Sequence, residues 1–333
     1  MKARLTADEY IQGIRNGDRV ILAKAITVAE SYLPADYGLM EQILDAILPQ
    51  TGKSLRIGIT GVPGVGKSTF IETFGNFLIN HFRYKIAILT VDPSSQITHG
   101  SILGDKTRME ELSRNPNAFI RPSASGEALG GITHRTRESI LLCEAAGFDV
   151  ILVETVGIGQ SETAVKNTVD AFLLLMLAGA GDELQGIKKG IIEMADLIAI
   201  TKADGDNTKK ARAAQLEYQH ALHFLRADES GWRAKVLTCS AVSKTGIDTI
   251  WENLQQYLQV QHDTGHHTLK RQRQEVQWFH ECLDSMVKRK LTEYSSLSEL
   301  LADCEKQVRE KSMSAPKAAR IVLNEFFQQL KTN

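Results

Sequence analysis

The chain has 333 residues, with 39 lysines and arginines against 40 aspartates and glutamates and a formal net charge of −1 at pH 7. So balanced a charge gives no electrostatic drive toward nucleic acid or an anionic membrane, and the expected partners are a protein or a small molecule. The length suffices for one large domain with extensions or for two smaller domains. Four cysteines, Cys143, Cys239, Cys282 and Cys304, lie far apart with no CxxC pair, so neither a disulfide framework nor a zinc module is indicated and a reducing compartment fits. The N-terminal stretch "MKARLTADEYIQGIRNGD" is polar and amphipathic, without the apolar core of a secretion signal. The longest apolar run, Ala171 to Gly181, is too short to span a bilayer and reads as a buried strand with its turn. A soluble, cytoplasmic protein is expected.

Residues 1–54 carry apolar positions at helical spacing (Tyr10, Ile11, Ile14; Ile21, Leu22, Ala25, Ile26) and form a helical extension, with Pro34 and Gly38 breaking the pattern before a short helix from Leu39 to Leu48. Residues 55–260 change texture. Short apolar runs, "LRIGIT", "KIAILTV", "AFIRP", "FDVILVET", "AFLLLML", "DLIAIT" and "KVLTCSA", alternate with amphipathic stretches, which predicts an α/β domain with a mostly parallel sheet flanked by helices. Residues 261–333 begin with a polar "HDTGHH" linker and continue as three helices, roughly 269–291, 297–311 and 316–331. Cys143 and Cys239 fall in buried helix and strand contexts.

The segment "GVPGVGKS", Gly61, Val62, Pro63, Gly64, Val65, Gly66, Lys67 and Ser68, follows a predicted strand and opens a predicted helix at Thr69, the context a phosphate-binding loop needs. Glycines let the backbone curl so that successive N–H groups face phosphates, Lys67 reaches the β- and γ-phosphates, and the Ser68 hydroxyl is a Mg²⁺ ligand. "FDVILVETVGIGQSE" ends a buried strand in Glu154, a carboxylate placed for the Mg²⁺ environment, with Gly157 able to present its N–H to a γ-phosphate. Gln160 either orients the attacking water or is a surface residue. "AILTVDPSS" puts Asp92 at the carboxyl end of a strand, where ligands sit in open parallel sheets; it is a candidate Mg²⁺-environment or water-activating carboxylate, or else a turn cap. Downstream, Asp105, Lys106 and Arg108 lie in a loop that is either a nucleotide-sensing switch or a solvated charged segment.

The base is read from "DLIAITKADGD". Thr201, Lys202 and Asp204 approach the Asn-Lys-x-Asp signature of GTPases, in which the aspartate accepts from guanine N1–H and the exocyclic amine. Adenine offers no such donor pair, so the aspartate selects GTP over ATP. Thr201 stands where asparagine is usual, which puts the customary tie between this loop and the phosphate loop in question. Ser240 and Ala241 in "VLTCSAVSKTG" match the short guanine-contacting loop of the same enzymes. Together these residues predict binding of GTP and GDP with Mg²⁺, with Lys67, Asp92 and Glu154 as the catalytic candidates.

With "GITGVPGVGKST", "VDPSS", "SGEALGGI", "ETVGIGQSE" and "TKAD", the chain closely resembles, over essentially its whole length, the MeaB-type G-protein chaperones of adenosylcobalamin-dependent methylmalonyl-CoA mutase, a family once described as a lysine/arginine/ornithine transport ATPase. The resemblance implies a homodimer held partly through the C-terminal helices, Mg²⁺-dependent GTP hydrolysis, and a complex in which the mutase is protected and its cofactor exchange gated. By the same resemblance Asp92, Asp105 and Glu154 map onto the Mg²⁺ environment, and residues 179–191 onto a switch that contacts the client; read alone, that segment is a Gly-rich loop leading into a helix, with Lys188 and Lys189 on a solvated face. A metal-insertion GTPase for a nickel enzyme is the nearest rival, but it needs a transferable metal site, and the three histidines His262, His266 and His267 come without a thiolate. A kinase or transport ATPase for basic amino acids would have no use for Asp204. A scaffold with a dead nucleotide site is hard to reconcile with Lys67, Ser68 and Glu154.

Overall fold

The computed structural model describes residues 5–31, 33–92, 109–124, 129–155, 162–179, 189–224, 227–293 and 295–332. Its centre is a seven-stranded sheet built from β1 (Leu55–Gly61), β2 (Ile86–Asp92), β3 (Ala118–Ala124), β4 (Val150–Thr155), β5 (Ala171–Leu177), β6 (Leu197–Thr201) and β7 (Lys235–Thr238). The order is β3-β2-β4-β1-β5-β6-β7 and every pairing is parallel. All seven strands coincide with the apolar runs of the sequence. Parallel strands covered on both faces must be apolar on both, which is why these runs are continuous.

Side-chain alternation divides the interior into two cores. Ile86, Ile88, Val150 and Leu152 face one side, with Phe70, Ile71 and Phe74 of α4 (Lys67–Phe82) and Trp251 and Leu254 further along the chain. Ala87, Leu89, Ile151 and Val153 face the other, against the helix Leu129–Ala145, on which α1 (Ala7–Arg15), α2 (Arg19–Ala29) and α3 (Pro34–Ile47) pack in turn. The N-terminal helices thus complete the second core. Pro34 does not break a helix but starts one, because its fixed φ and missing N–H suit the first turn, and Gly38 lies inside the same helix.

The remaining helices are α5 (Glu110–Arg114), α6 (Leu129–Ala145), α7 (Glu162–Lys166), α8 (Lys189–Met194), α9 (Thr208–His223), α10 (Ile247–Asp263), α11 (His266–Glu293), α12 (Ser295–Arg309) and α13 (Ala315–Thr332). The chain divides into two compact units at Gln274. "HDTGHH" is not a linker: α10 runs through Asp263, a tight turn follows with Gly265 at φ +73°, and α11 starts at His266. The first turns of α11 belong to the sheet unit. Arg271 makes a bidentate pair with Asp170 at 2.7–2.8 Å and donates to the carbonyls of Gly52 and Ser54, while Gln274 donates to Val169 O. In the second unit α12 and α13 pack as a hairpin around Cys304, Ala318 and Val322, with Leu291, Leu300 and Leu301 against them. Among the described residues no helix is long and apolar enough to cross a membrane.

Candidate functional site

The site lies where the carboxyl ends of β1, β4, β2 and β6 converge. β1 has β4 on one side and β5 on the other, so the chain order diverges there and opens a crevice beyond the strand ends. Gly61 ends β1 against β5 so closely that a Cβ would sit 2.5 Å from Leu175 O, which only glycine avoids. Gly64 and Gly66 take φ of +78° and +90°, turning the loop back toward the start of α4. The N-terminus of α4 carries no side-chain cap, so its first N–H groups face the loop interior as an anion-binding cradle. Lys67 reaches across the loop to donate to Gly61 O at 2.7 Å. Burial lowers its pKa, and the negative charges of Glu154 and then Glu162 work in the opposite direction.

Glu154, buried on β4, lies in register with Ile59 of β1 and Thr90 of β2, and the Ser68 hydroxyl donates to its Oε1 at 3.5 Å. Asp92 closes β2 two positions beyond the Glu154 partner Thr90, at the same end of the sheet. Behind the site, the Thr155 hydroxyl donates to Thr60 Oγ1 at 2.7 Å and locks β4 to β1. Asp105, Arg108, Gly157, Gln160 and Lys188 lie outside the described residues, and Lys189 begins α8.

The base loop is joined to the phosphate loop. Thr201, buried at the end of β6, donates to Val65 O at 2.9 Å, with Met176 O at 3.2 Å. The hydroxyl makes the tie that asparagine makes in the usual signature. Lys202, at φ +55°, lays its side chain over the loop and donates to Gly64 O at 2.8 Å. Asp204 Oδ2 accepts from the Ser240 hydroxyl, and Ser240 Oγ in turn accepts from Ser243 N at 3.1 Å. Ala241 O accepts from Thr73 of α4 at 3.1 Å, so the loops after β6 and β7 are both anchored on α4 or the glycine loop before it. Gly246, at φ +73°, closes this turn so near Thr238 O that a Cβ would sit 2.4 Å away.

One residue of the site was not singled out from the sequence. Glu162 opens α7, is 3% exposed, and acts electrostatically on Lys67. Its signal was an acidic residue closing the glycine-rich stretch after Glu154. His262, His266 and His267 do not converge on a thiolate: His262 and His267 stack at 4.2 Å, and His267 Nε2 lies 3.4 Å from Asp170.

An uncapped helix under a glycine loop, a strand-end carboxylate beside its serine, and an aspartate held at a second loop are, on this sheet, the construction of a P-loop GTPase. The family described as methylmalonyl-CoA mutase-associated GTPase MeaB matches residues 22–296, and the chain belongs to that family. It is 47% identical to the GTPase ArgK of Escherichia coli strain K12, covering 97% of each chain. It is 43% identical to the mitochondrial methylmalonic aciduria type A homolog of Mus musculus, over 98% of this chain and 80% of that protein. A solved structure titled LAO/AO transport system kinase superposes with a TM-score of 0.75 at 40% identity, covering 98% of this chain and 99% of that one.

Proposed function

We propose that this GTPase works with Mg²⁺ as a chaperone of methylmalonyl-CoA mutase, gating the loading of adenosylcobalamin and protecting or reactivating that enzyme. The observation that carries the guanine reading is Asp204, held by Ser240 on a loop that Thr201 and Lys202 fasten to the phosphate loop. A carboxylate so placed accepts two donors from guanine and meets no such pair on adenine, which also weighs against an ATP-dependent kinase or transporter.

In this reading the backbone from Val62 to Ser68 and the Lys67 ammonium hold the phosphates, with Thr69 beside them, and Gly157 presents its N–H to the γ-phosphate. Thr201, Lys202, Asp204, Ser240 and Ala241 hold the base. Ser68 and Glu154 fit Mg²⁺: a hydroxyl and a carboxylate, both hard oxygen donors, stand 3.5 Å apart beside the phosphate cradle, and Asp92 and Asp105 complete the environment. Held by these residues, Mg²⁺ would supply charge neutralisation at the nucleotide phosphates. Lys67 supplies fixed positive charge on the other side, and its two carboxylate neighbours favour the protonated form.

The family description supports the mutase as client. A γ-phosphate that binds one of two protein states better provides the differential binding energy by which a chaperone commits its client to one of two states. A homodimer is supported by α11, where Val276, Phe279, Leu283, Met286 and Val287 are exposed at the three- and four-residue spacing of a helix-pairing seam. A cytoplasmic location is part of the proposal, with no membrane or nucleic acid as partner.

The test is capture of the purified mutase by the protein charged with a non-hydrolysable GTP analogue, with GDP, or with an ATP analogue. Capture that differs between the two guanine states and ignores the ATP analogue is expected. Capture indifferent to nucleotide, or none at all, overturns the chaperone reading and leaves the GTPase standing.

A further inference from the structure

β3 is the outer strand of the sheet: among the described residues it pairs with β2 alone. Beside it runs α2, pinned at two points. Arg19 Nη1 donates to Asn115 O at 3.5 Å just before the strand, and Arg121 Nη2 donates to Thr27 Oγ1 at 3.2 Å and Glu30 Oε2 at 2.5 Å on the strand itself. Helix and strand therefore run side by side in the same direction. Between the pins lies a groove of about 430 Å³ bordered by Arg19, Val20, Lys24, Phe119, Ile120 and Arg121 among others.

The wall of this groove is strand edge. Alternate side chains of a strand point to opposite faces, so three consecutive residues can border one groove only where it follows the strand's side. Phe119 and Ile120 bury their side chains in opposite cores. Asn117 O accepts from Ile86 N of β2, so by alternation Phe119 also turns its backbone to β2 and the outer edge offers the Ile120 N–H and the carbonyls of Ala118, Ile120 and Pro122, while Ala118 N–H donates to Asn115 O and Pro122 has no N–H. Unpaired backbone along an edge is a template for another strand. From Arg19 to Thr27 the helix rises roughly 12 Å at 1.5 Å per residue. An extended segment of four residues covers about 13 Å.

The rim specifies the occupant. Arg19, Lys24 and Arg121 border the groove, Glu30 pairs with Arg121, and the surplus is positive on a chain whose total charge is −1. Arg19 and Lys24 are exposed on either flank of the helix face, with Val20, 64% exposed, between them. We propose that the groove between α2 and the outer edge of β3 is a docking site for an extended acidic segment of a partner protein, which adds to the sheet as a further strand. Backbone bonds to β3 supply affinity, carboxylates meet Arg19 and Lys24, and an aliphatic side chain between them covers Val20. The site is separate from the nucleotide residues and does not depend on the nucleotide reading.

The probe is a fluorescein-labelled hexapeptide alternating glutamate and valine, titrated into the full chain by anisotropy. Three comparisons accompany it: the same peptide N-methylated at alternate residues, an alternating lysine and valine peptide, and the Arg19→Glu/Lys24→Glu double variant. Expected are binding of the acidic peptide with added hydrogen-exchange protection of the Ile120 amide, and at least about tenfold weaker binding for each comparison, the size of losing two rim charge contacts or the ladder bonds. No binding of the acidic peptide overturns the proposal. Equal binding of the N-methylated peptide shows attraction by charge alone and overturns it too, as does equal binding of the lysine peptide. The N-methylated peptide acts on the unaltered protein, so the result stands even where the double variant folds poorly.

Discussion

The Thr201 hydroxyl and the Val65 carbonyl meet at 2.9 Å, and this one bond fastens the end of β6 to the phosphate loop. Both residues are buried, so water does not replace the bond when it is lost. Thr201→Val keeps the shape and removes the donor. A loss of about 1–2 kcal/mol is expected, read as roughly 5- to 30-fold weaker GDP binding by calorimetry. Thr201→Asn, which restores a donor, should recover most of it. Wild-type affinity in the valine variant would show that the two loops hold their places independently.

In the proposed site Asp204 meets the base through charge, and the Ser240 hydroxyl, donating to Oδ2, leaves Oδ1 for that contact. Asp204→Asn replaces an acceptor by a group that presents N–H to the donors of guanine. GTP binding should weaken by about two orders of magnitude, since charge-assisted bonds are lost and a buried donor pair is left unmatched. Binding of xanthosine triphosphate, which carries a carbonyl in place of the amine, should rise. Competition against labelled GDP measures both, and an unaltered ranking of the nucleotides would place the base elsewhere.

Burial lowers the pKa of Lys67 while Glu154 and Glu162 raise it. Glu162→Gln removes one of the raising charges, so the lysine sheds its proton at a lower pH. The alkaline limb of the GTP hydrolysis profile should then move to lower pH, with the neutral-pH rate much less affected. Lys67→Ala should lower kcat by about 10²–10³-fold at every pH, as loss of a charged transition-state contact does. An alkaline limb in the same place for Glu162→Gln would remove this residue from the site.

Asp170 is buried, which alone would raise its pKa, yet the hydrogen bonds from Arg271 and His267 and the charges of Arg271 and Arg56 hold it far below the usual carboxylate range. A carboxyl group held down in the native state stabilises the fold above the unfolded value of about 4, and that stabilisation fades as the pH falls through the native value. Arg271→Leu strands the charge and should cost about 3–5 kcal/mol at pH 7. The deficit relative to wild type should shrink as the pH falls, because the stranded carboxylate takes up a proton at a higher pH than the paired one. Urea unfolding at pH 7 and at lower pH decides; a deficit independent of pH would assign the loss to packing of α11.

Much of the layout of the candidate site is legible because it is local: the glycine loop, Glu154 and Asp204 each sit in a short stretch at the carboxyl end of a strand, and the structure places them there. The strands were legible because both faces are buried. Thr201 could be named but not resolved, since its effect depends on Val65, far away in sequence. The Arg271 and Asp170 pair left no trace, because neither residue belongs to a local pattern and their meeting depends on where α11 docks. Pro34 was read as a breaker, although at a first helical turn the same ring favours the helix.

The docking of α11 also decides where the chain can be shortened. Changes of texture suggest that a nucleotide-binding fragment would end at residue 260. Such a truncation discards His267, Lys270, Arg271 and Gln274, whose side chains bond Asp170, Gly52, Ser54 and Val169 at the foot of the sheet. Asp170, its side chain 1% exposed, would keep the Arg56 N–H and lose its bidentate cation. Removing residues 1–54 would in turn strip the second core of α1, α2 and α3, which pack on α6 over β2 and β4. The fragment to express for binding studies therefore begins before α1 and runs at least to Gln274.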